Sequence, residues 1–434
     1  MSRLELTALP LSPLHVGDGS EWTPEAYKLE GNELLRFDPQ AVAVGLTPSQ
    51  ARAFAAAVDR GDLGAAQRLL RDAVKPEQIK ERILVSAESR REVEEALAGK
   101  QRRGAIHPFT RSSHGPYLPG SAVKGALRTA LLSAWVQPDL AHYQDWLSTQ
   151  NIRGGRSGPA STRLQEQVLG ALDRDPFRFI RVFDTALPAE HLRIERVVPH
   201  HRERSRSGDG KGMQMHFECL QPGMDSAFTL VLDVQAERAV AAADLDAAKA
   251  PEKPIGTREL LHAVNDFCRH RFHVERDRFF DRPWLAPLPE AEADGFPLLL
   301  RVGRFSHFES ASVEGLRQGW QPQGKRSVTE GSTRAVVRQG SVTLPFGWLL
   351  LVPAGQEERL ASIGLAGAQH ERAGQGTLLD AEVTQRGRGK APLVSNLAGR
   401  RGRVDEEPME VERDEGAVLL VRFLNDGDVE EVQR

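Results

Sequence analysis

The sequence predicts an α+β protein in which strands and helices alternate as split β-α-β units, followed by a small all-β module. Three observations carry this. Short alternating apolar runs recur through residues 1–353, helix-period apolar stripes lie between them, and the composition changes after Pro353. The chain has 434 residues, of which 40% are hydrophobic. At about 150 residues per domain, that length predicts two or three domains with substantial cores. The net charge of −3 excludes a globally basic nucleic-acid binder, so any such site must be a local cluster of Lys and Arg.

The elements run in order along the chain. Residues 4–10 alternate loosely and predict a strand. Residues 26–37 predict a hairpin turning at Gly31-Asn32. Thr47 or Ser49 can cap a helix that runs through alanine-rich sequence to Val58. Further helices are expected over 63–73 and 77–98, the last with a solvated Glu/Arg face, so that about 48–100 forms a helical insertion. Residues 151–162, rich in Gly, Arg and Ser, predict a mobile loop. Strands are expected over 180–185, 191–198, 213–220 and 228–234, with an exposed basic loop at 199–211. Residues 257–276 predict a helix with Leu260, Leu261, Val264, Phe267 and Cys268 inward. Beyond Pro353, residues 354–375 predict a linker with a short helix. Strands over 377–384, 399–404, 409–413 and 417–424 then suggest a small barrel-like or OB-like module. No internal repeat is strong enough to show a duplication unaided.

The most informative stretch is Pro119-Gly120-Ser121-Ala122-Val123-Lys124-Gly125-Ala126-Leu127-Arg128. Pro119-Gly120 breaks the chain, and Ser121 is the expected N-cap. Val123, Leu127, Ala130, Leu131 and Ala134 form the apolar stripe of the helix beyond it. Lys124 and Arg128 stand four residues apart and project together. Gly125 and Ala126 leave the surface bare. Free amides at a helix start beside two cations suit a phosphate chain.

This stretch resembles the "PGSSLKGALR"-like helix of the RAMP superfamily of CRISPR-associated proteins, departing only at Ala122 and Val123. Other segments resemble the same family in order. They are Leu4 to Gly19, Phe183-Asp184-Thr185, Glu218 to Gly223 with Phe228, Arg301-Val302-Gly303-Arg304-Phe305, and Pro345-Phe346-Gly347-Trp348. The resemblance spans roughly residues 1–353 and is greatest to subunits of type III-A complexes. It implies tandem ferredoxin-like (RRM-like) RAMP domains over 1–190 and 191–353, with 354–434 as an appendage. It implies a non-catalytic subunit that binds the 3′ side of a CRISPR RNA, caps the stack of backbone subunits and supports guide maturation and antiviral defence. The implied partners are CRISPR RNA, other RAMP subunits and host nucleases that trim guides. The expected setting is the cytoplasm, with no membrane, cofactor or metal.

The expected RNA-binding residues are His15, Gly17, Ser121, Lys124, Gly125, Arg128, Arg301, Gly303, Arg304 and His307. The alternative is a metal-independent endoribonuclease with His15 as general acid or base, although no second proton-transfer partner is evident. A third reading is an adaptor that recruits a maturation nuclease and barely touches RNA. His200-His201 are expected to be a solvated pair, since no other ligand lies at metal spacing. Asp184 is expected to fix a strand-end turn. Asp18, in an early loop, is not expected to be catalytic. Lys325, Arg326, Arg334 and Arg338 read as a solvated basic run. Cys219 and Cys268, far apart, read as reduced thiols. No apolar run approaches the ~20 residues of a membrane span, no signal-peptide core is evident, and no phosphate-loop or dinucleotide fingerprint is present.

Overall fold

The computed structural model describes residues 2–98, 104–149, 160–201, 215–247, 250–280, 284–285, 287–321, 326–340, 342–360 and 363, and strands between 401 and 433. The chain divides into two compact units, Met1–Ala366 and Gly367–Arg434.

The first unit mixes helices with two large sheets. One sheet contains β1 (Ser2–Pro10), β2 (Ile180–Val182), β3 (Phe228–Val234), β4 (Leu298–Arg301) and β5 (Trp348–Pro353). Their spatial order is β4-β5-β1-β3-β2, and every neighbouring pair is antiparallel. Leu6 stands opposite Leu230, and Ala8 opposite Leu351. Four helices lie near this sheet or its connections: α1 (Gly120–Val136), α2 (Leu140–Thr149), α3 (Ala160–Leu169) and α4 (Thr257–Phe279). Helix α1 lies between β1 and β2 in the chain, and those strands stand two places apart in the sheet. Helix α4 leads from β3 to the far side of β1, where β4 and β5 lie. Across the antiparallel ladder β1 and β2 run parallel, as the two strands of a split β-α-β unit do, whereas β3 and β4 run antiparallel. Val123, Leu127, Ala130 and Leu131 of α1 are buried, as its stripe predicts, and α1 packs against α4.

Among the described residues the second sheet has eight strands. Leu192–His201 is central, flanked by Met215–Leu220 on one side and by Ile79–Val85 and Thr333–Gln339 on the other. The predicted hairpin is present as Tyr27–Glu30 and Glu33–Phe37, and pairs onward with Ile79–Val85. Trp22, Tyr27, Leu34, Ile83, Val93 and Ile194 pack together beneath it. Both sheets draw strands from both sides of residue 190.

The helices predicted over 47–58 and 63–73 appear as Pro48–Asp59 and Leu63–Ala73. Thr47 caps the former, with Gln50 returning a bond to the Thr47 amide at 3.0 Å. The single helix expected over 77–98 is instead strand Ile79–Val85 followed by helix Ala87–Leu97. Ile83 and Val85 are buried while Lys80, Arg82 and Leu84 face out, a period of two that the many Glu and Arg residues obscure. Ser86 accepts from the Ser89 amide at 3.3 Å and starts the helix.

The mobile loop expected over 151–162 is partly corrected, because α3 begins at Ala160; residues 151–159 lie outside the described residues. The start of the expected basic loop belongs to strand Leu192–His201, where Val198 pairs with Val336; residues 202–214 lie outside the described residues. Among the described residues no helix is long and apolar enough to cross a membrane.

The second unit is an antiparallel meander of Arg401–Val404, Glu407–Asp414, Val418–Phe423 and Val429–Gln433. The first three correspond to predicted strands, and the fourth is an addition to them. The strand expected over 377–384 lies outside the described residues.

Candidate nucleic-acid interface

The expected site residues fall into two groups. The first surrounds the loop after β1. His15 is buried, with its ring edge-on to Phe109 and Phe217 at centroid distances of 5.9 and 4.9 Å. Its Nδ1 donates to the Glu218 carbonyl at 2.7 Å, and its Nε2 has no hydrogen-bond partner. Burial pulls its pKa down to about 4, so the ring is neutral at pH 7. The Glu218 side chain is buried, accepts from the Phe109 amide at 2.8 Å and forms a two-pronged pair with Arg111. Arg111 also reaches Glu81 at 3.1 Å. The Glu218 carbonyl thus holds His15, while the carboxylate of the same residue holds the adjoining segment at Phe109 and Arg111.

Three chain segments are stitched together here. The Arg304 amide donates to the His15 carbonyl at 2.9 Å, the Gly347 amide to Pro13, and the Val302 amide to Gly347. Gly303 (φ +97) and Gly347 (φ +82) make the approach possible. A side chain at Gly303 would stand 2.5 Å from the His15 carbonyl, and one at Gly347 2.1 Å from that of Val302. What remains exposed is Gly17, Asp18, Gly19 and Ser20, together with Arg304. The Arg304 guanidinium lies 5.4 Å from the Phe217 ring centre, and half-buried His107 stacks on the same ring at 4.4 Å. Nothing in the sequence links His107 or Arg111 to this cluster.

The other group lies at the start of α1. The helix begins at Gly120 with Pro119 as N-cap, so the expected capping role of Ser121 is corrected. Ser121 sits exposed in the first turn. The Gly120 amide donates instead to the Asp184 carboxylate at 2.8 Å. A side chain at Gly120 would strike the Val182 carbonyl at 2.2 Å, so the helix end abuts β2 directly. Asp184 therefore does more than fix a turn: it occupies one amide expected to be free for phosphate. Gly125 is exposed, with open space where a side chain would be. Lys124 is half-buried, and that burial lowers its pKa. Arg128 and Arg181 push it the same way, while Asp175 opposes them. Arg128 is held by Asp175 at 2.6 Å and Gln165 at 2.7 Å, over the Phe177 ring at 5.2 Å. Arg181, exposed on the edge strand β2, is the cation that sequence reasoning misses; its distance along the chain from Lys124 leaves no signal.

Two expected contacts are engaged by other parts of the protein. Arg301 is buried rather than exposed; it pairs with Glu275 at 2.9 Å and donates to the Phe346 carbonyl at 3.1 Å. Glu275 also holds Arg334 at 2.8 Å and the Trp348 indole at 2.9 Å. Arg334 is thus part of a buried network and not of a solvated run. His307 (φ +58) accepts from the Ala335 amide at 3.4 Å, and burial pulls its pKa far down. His200 is also not solvated: its Nε2 donates to the Phe279 carbonyl at 2.6 Å and its ring stacks on Phe280. Both cysteines are free and buried. Lys325 lies outside the described residues. Among the described residues no cluster of His, Cys, Asp and Glu could hold a metal ion.

The RAMP superfamily model aligns with residues 7–288, more than half of the chain. The chain belongs to the RAMP superfamily. Curated relatives of this RAMP protein from two strains of Mycobacterium tuberculosis, each named CRISPR system Cms protein Csm5, are 27% identical over 259 residues. The match covers 53% of this chain and 66% of the relatives' length. Among solved structures, one chain of a Csm-crRNA-target RNA ternary complex in a type III-A CRISPR-Cas system, seen by cryo-EM, superposes with a TM-score of 0.58. The two share 19% identity over 80% of this chain and 100% of that one. The crystal structure of T. onnurineus Csm5 superposes with a TM-score of 0.50 and 19% identity over 79% of this chain and 99% of that one. These structures share the fold of this RAMP protein.

Proposed function

We propose that this RAMP protein is a non-catalytic RNA-binding subunit of a type III-A CRISPR ribonucleoprotein. It would hold the 3′ side of the CRISPR RNA, cap the stack of backbone subunits and support guide maturation, with CRISPR RNA, other RAMP subunits and guide-trimming nucleases as partners. The observation that carries this reading is Lys124, half-buried at the start of α1 beside Arg128 and Arg181 and next to the bare surface of Gly125. A cation already disfavoured by burial and like charges gains most from a phosphate. Because Asp184 takes the Gly120 amide, side-chain cations rather than helix amides supply the grip. Arg304, exposed at the glycine-stitched loop beside His107, offers a second contact. The nuclease alternative is less well supported, since His15 is buried, neutral and packed against phenylalanines. In the same reading the first sheet with α1 and α4 is one ferredoxin-like unit, and the second sheet belongs to a partner unit interleaved with it.

The test is Lys124→Ala combined with Arg181→Ala. Both side chains are free of the buried pairs that hold Arg128, so the fold should survive. The double variant should lose single-stranded RNA affinity and flatten its salt dependence by about two units of slope. Unchanged affinity and slope would remove this site.

A further inference from the structure

A cavity of about 630 Å³ opens beside the cations of α1. Its walls are Leu132 of α1, Leu147 of α2, Leu164 of α3, and Phe308 and Val313 of the segment before Thr333–Gln339. The volume lies within the ~300–1,000 Å³ typical of small-ligand sites. Aliphatic side chains, the Phe308 ring and polar side chains share the lining. The polar lining includes Arg317, buried with its guanidinium 5.8 Å from the Phe308 ring centre, and Gln144, whose amide nitrogen donates to the Gly315 carbonyl at 3.1 Å.

One residue joins this cavity to the cationic site. Arg128 lines the cavity, and it is also among the charges that act on Lys124. Asp175 and Gln165 hold its guanidinium in place, so the boundary between apolar walls and cations is fixed. An apolar anchor from a protein partner would gain nothing from cations at the mouth. A nucleotide suits both halves: a flat base, with faces that stack on apolar side chains and edges that meet polar ones, and a phosphate that needs those cations. We propose that this cavity receives one base of the bound single-stranded RNA, turned out of the strand, while its phosphate lies against Lys124 and Arg181. The inference rests on the RNA-binding reading above and adds where a base goes. Recognition would be by stacking and shape, so it would tolerate any base.

The test compares two fluorescein-labelled probes, oligouridine and a chain of the same length made of abasic nucleotides. Wild-type protein should bind oligouridine about tenfold more tightly than the abasic chain. Ala311→Trp, at the exposed rim of the cavity, should fill it and abolish that difference by weakening oligouridine alone. The comparison of the two probes on the wild type needs no variant, so it stands even if Ala311→Trp misfolds. Equal affinities for both probes on the wild type would overturn the proposal. So would an Ala311→Trp protein that keeps the full preference for oligouridine. If Ala311→Trp leaves RNA binding intact but blocks co-assembly with neighbouring subunits, the cavity takes a protein anchor and the proposal fails. Lys124→Ala with Arg181→Ala should weaken both probes equally. If it weakens neither, it is the RNA-binding reading that has failed.

Discussion

Arg301→Met is expected to cost stability and to leave RNA affinity alone. The guanidinium is buried against Glu275 at 2.9 Å and lies 4.8 Å from the Trp348 ring centre. It also donates to the Phe346 and Phe305 carbonyls at 3.1 and 3.3 Å. Breaking a buried pair by removing one partner costs about 3–5 kcal/mol, because the other charge stays buried. Here Glu275 keeps Arg334 at 2.8 Å and the Trp348 indole at 2.9 Å, which places the loss at the lower end. Methionine replaces the aliphatic stem, so little cavity forms. The two carbonyls lose their donors, at about 1 kcal/mol each at most, a cost already within that range. The expected loss is therefore ~3 kcal/mol.

Urea unfolding measures it as a lower midpoint at unchanged slope. RNA affinity of the folded variant should stay within about twofold of the wild type. A loss of stability below about 1 kcal/mol would refute the buried-network argument. A tenfold loss of affinity at native stability would make Arg301 an RNA contact after all, as its place in the sequence beside Gly303 and Arg304 suggests.

The remaining predictions are shorter. The lowered pKa of Lys124 should give the proposed RNA binding a pH dependence. A phosphate favours the protonated amine, so affinity is full below that lowered pKa and falls as pH rises through it, at lower pH than for an ordinary lysine near about 10.4. Lys124→Arg should abolish this fall, because guanidinium stays charged; titrating affinity between about pH 7 and 10 decides it, and an identical pH profile in the two proteins would contradict the assignment. A chain ending at Ala366 should stay soluble and unfold cooperatively, since the first compact unit ends there. One ending at Gln356 should be less stable by about 2–4 kcal/mol, because it lacks buried Leu360 and the Arg359 bridges to Glu292 and Asp294. Equal thermal stability of the two truncations would show that this last turn contributes nothing.

Much of the first sheet is legible in the sequence because its strands are apolar and its helices amphipathic. The stripe on α1 and the capping box at Thr47 are local signals, and local signals survive in a sequence. The strand Ile79–Val85 is hidden for a physical reason. Its outward positions are Lys80, Arg82 and Leu84, and charged residues fit a solvated helix as readily as an edge-facing row. What overrides helix propensity is pairing with Glu33–Phe37, where Arg82 meets Glu33 and Glu81 meets Arg36 across the ladder.

The candidate site divides along the same line. The segment 119–128 forms the amphipathic helix its pattern predicts, but the neighbours of its cations come from elsewhere in the chain: Asp175 and Gln165 hold Arg128, and Arg181 sets a like charge near Lys124. Spacing on one helix says which side chains project together, not which are already engaged across a tertiary contact. Arg301 offers a sharper warning. It ends the run Leu298-Leu299-Leu300, and an unbroken apolar run marks a strand covered on both faces. An arginine at the end of such a strand is buried with it, and a buried guanidinium requires a carboxylate. Glu275, on helix α4 packed against β4, meets that requirement. Arg304, beyond the break that Gly303 makes, escapes the strand and stays exposed. Of the two arginines in this segment, the one after the glycine is therefore the one left exposed, and the one to which the proposed RNA contact is assigned.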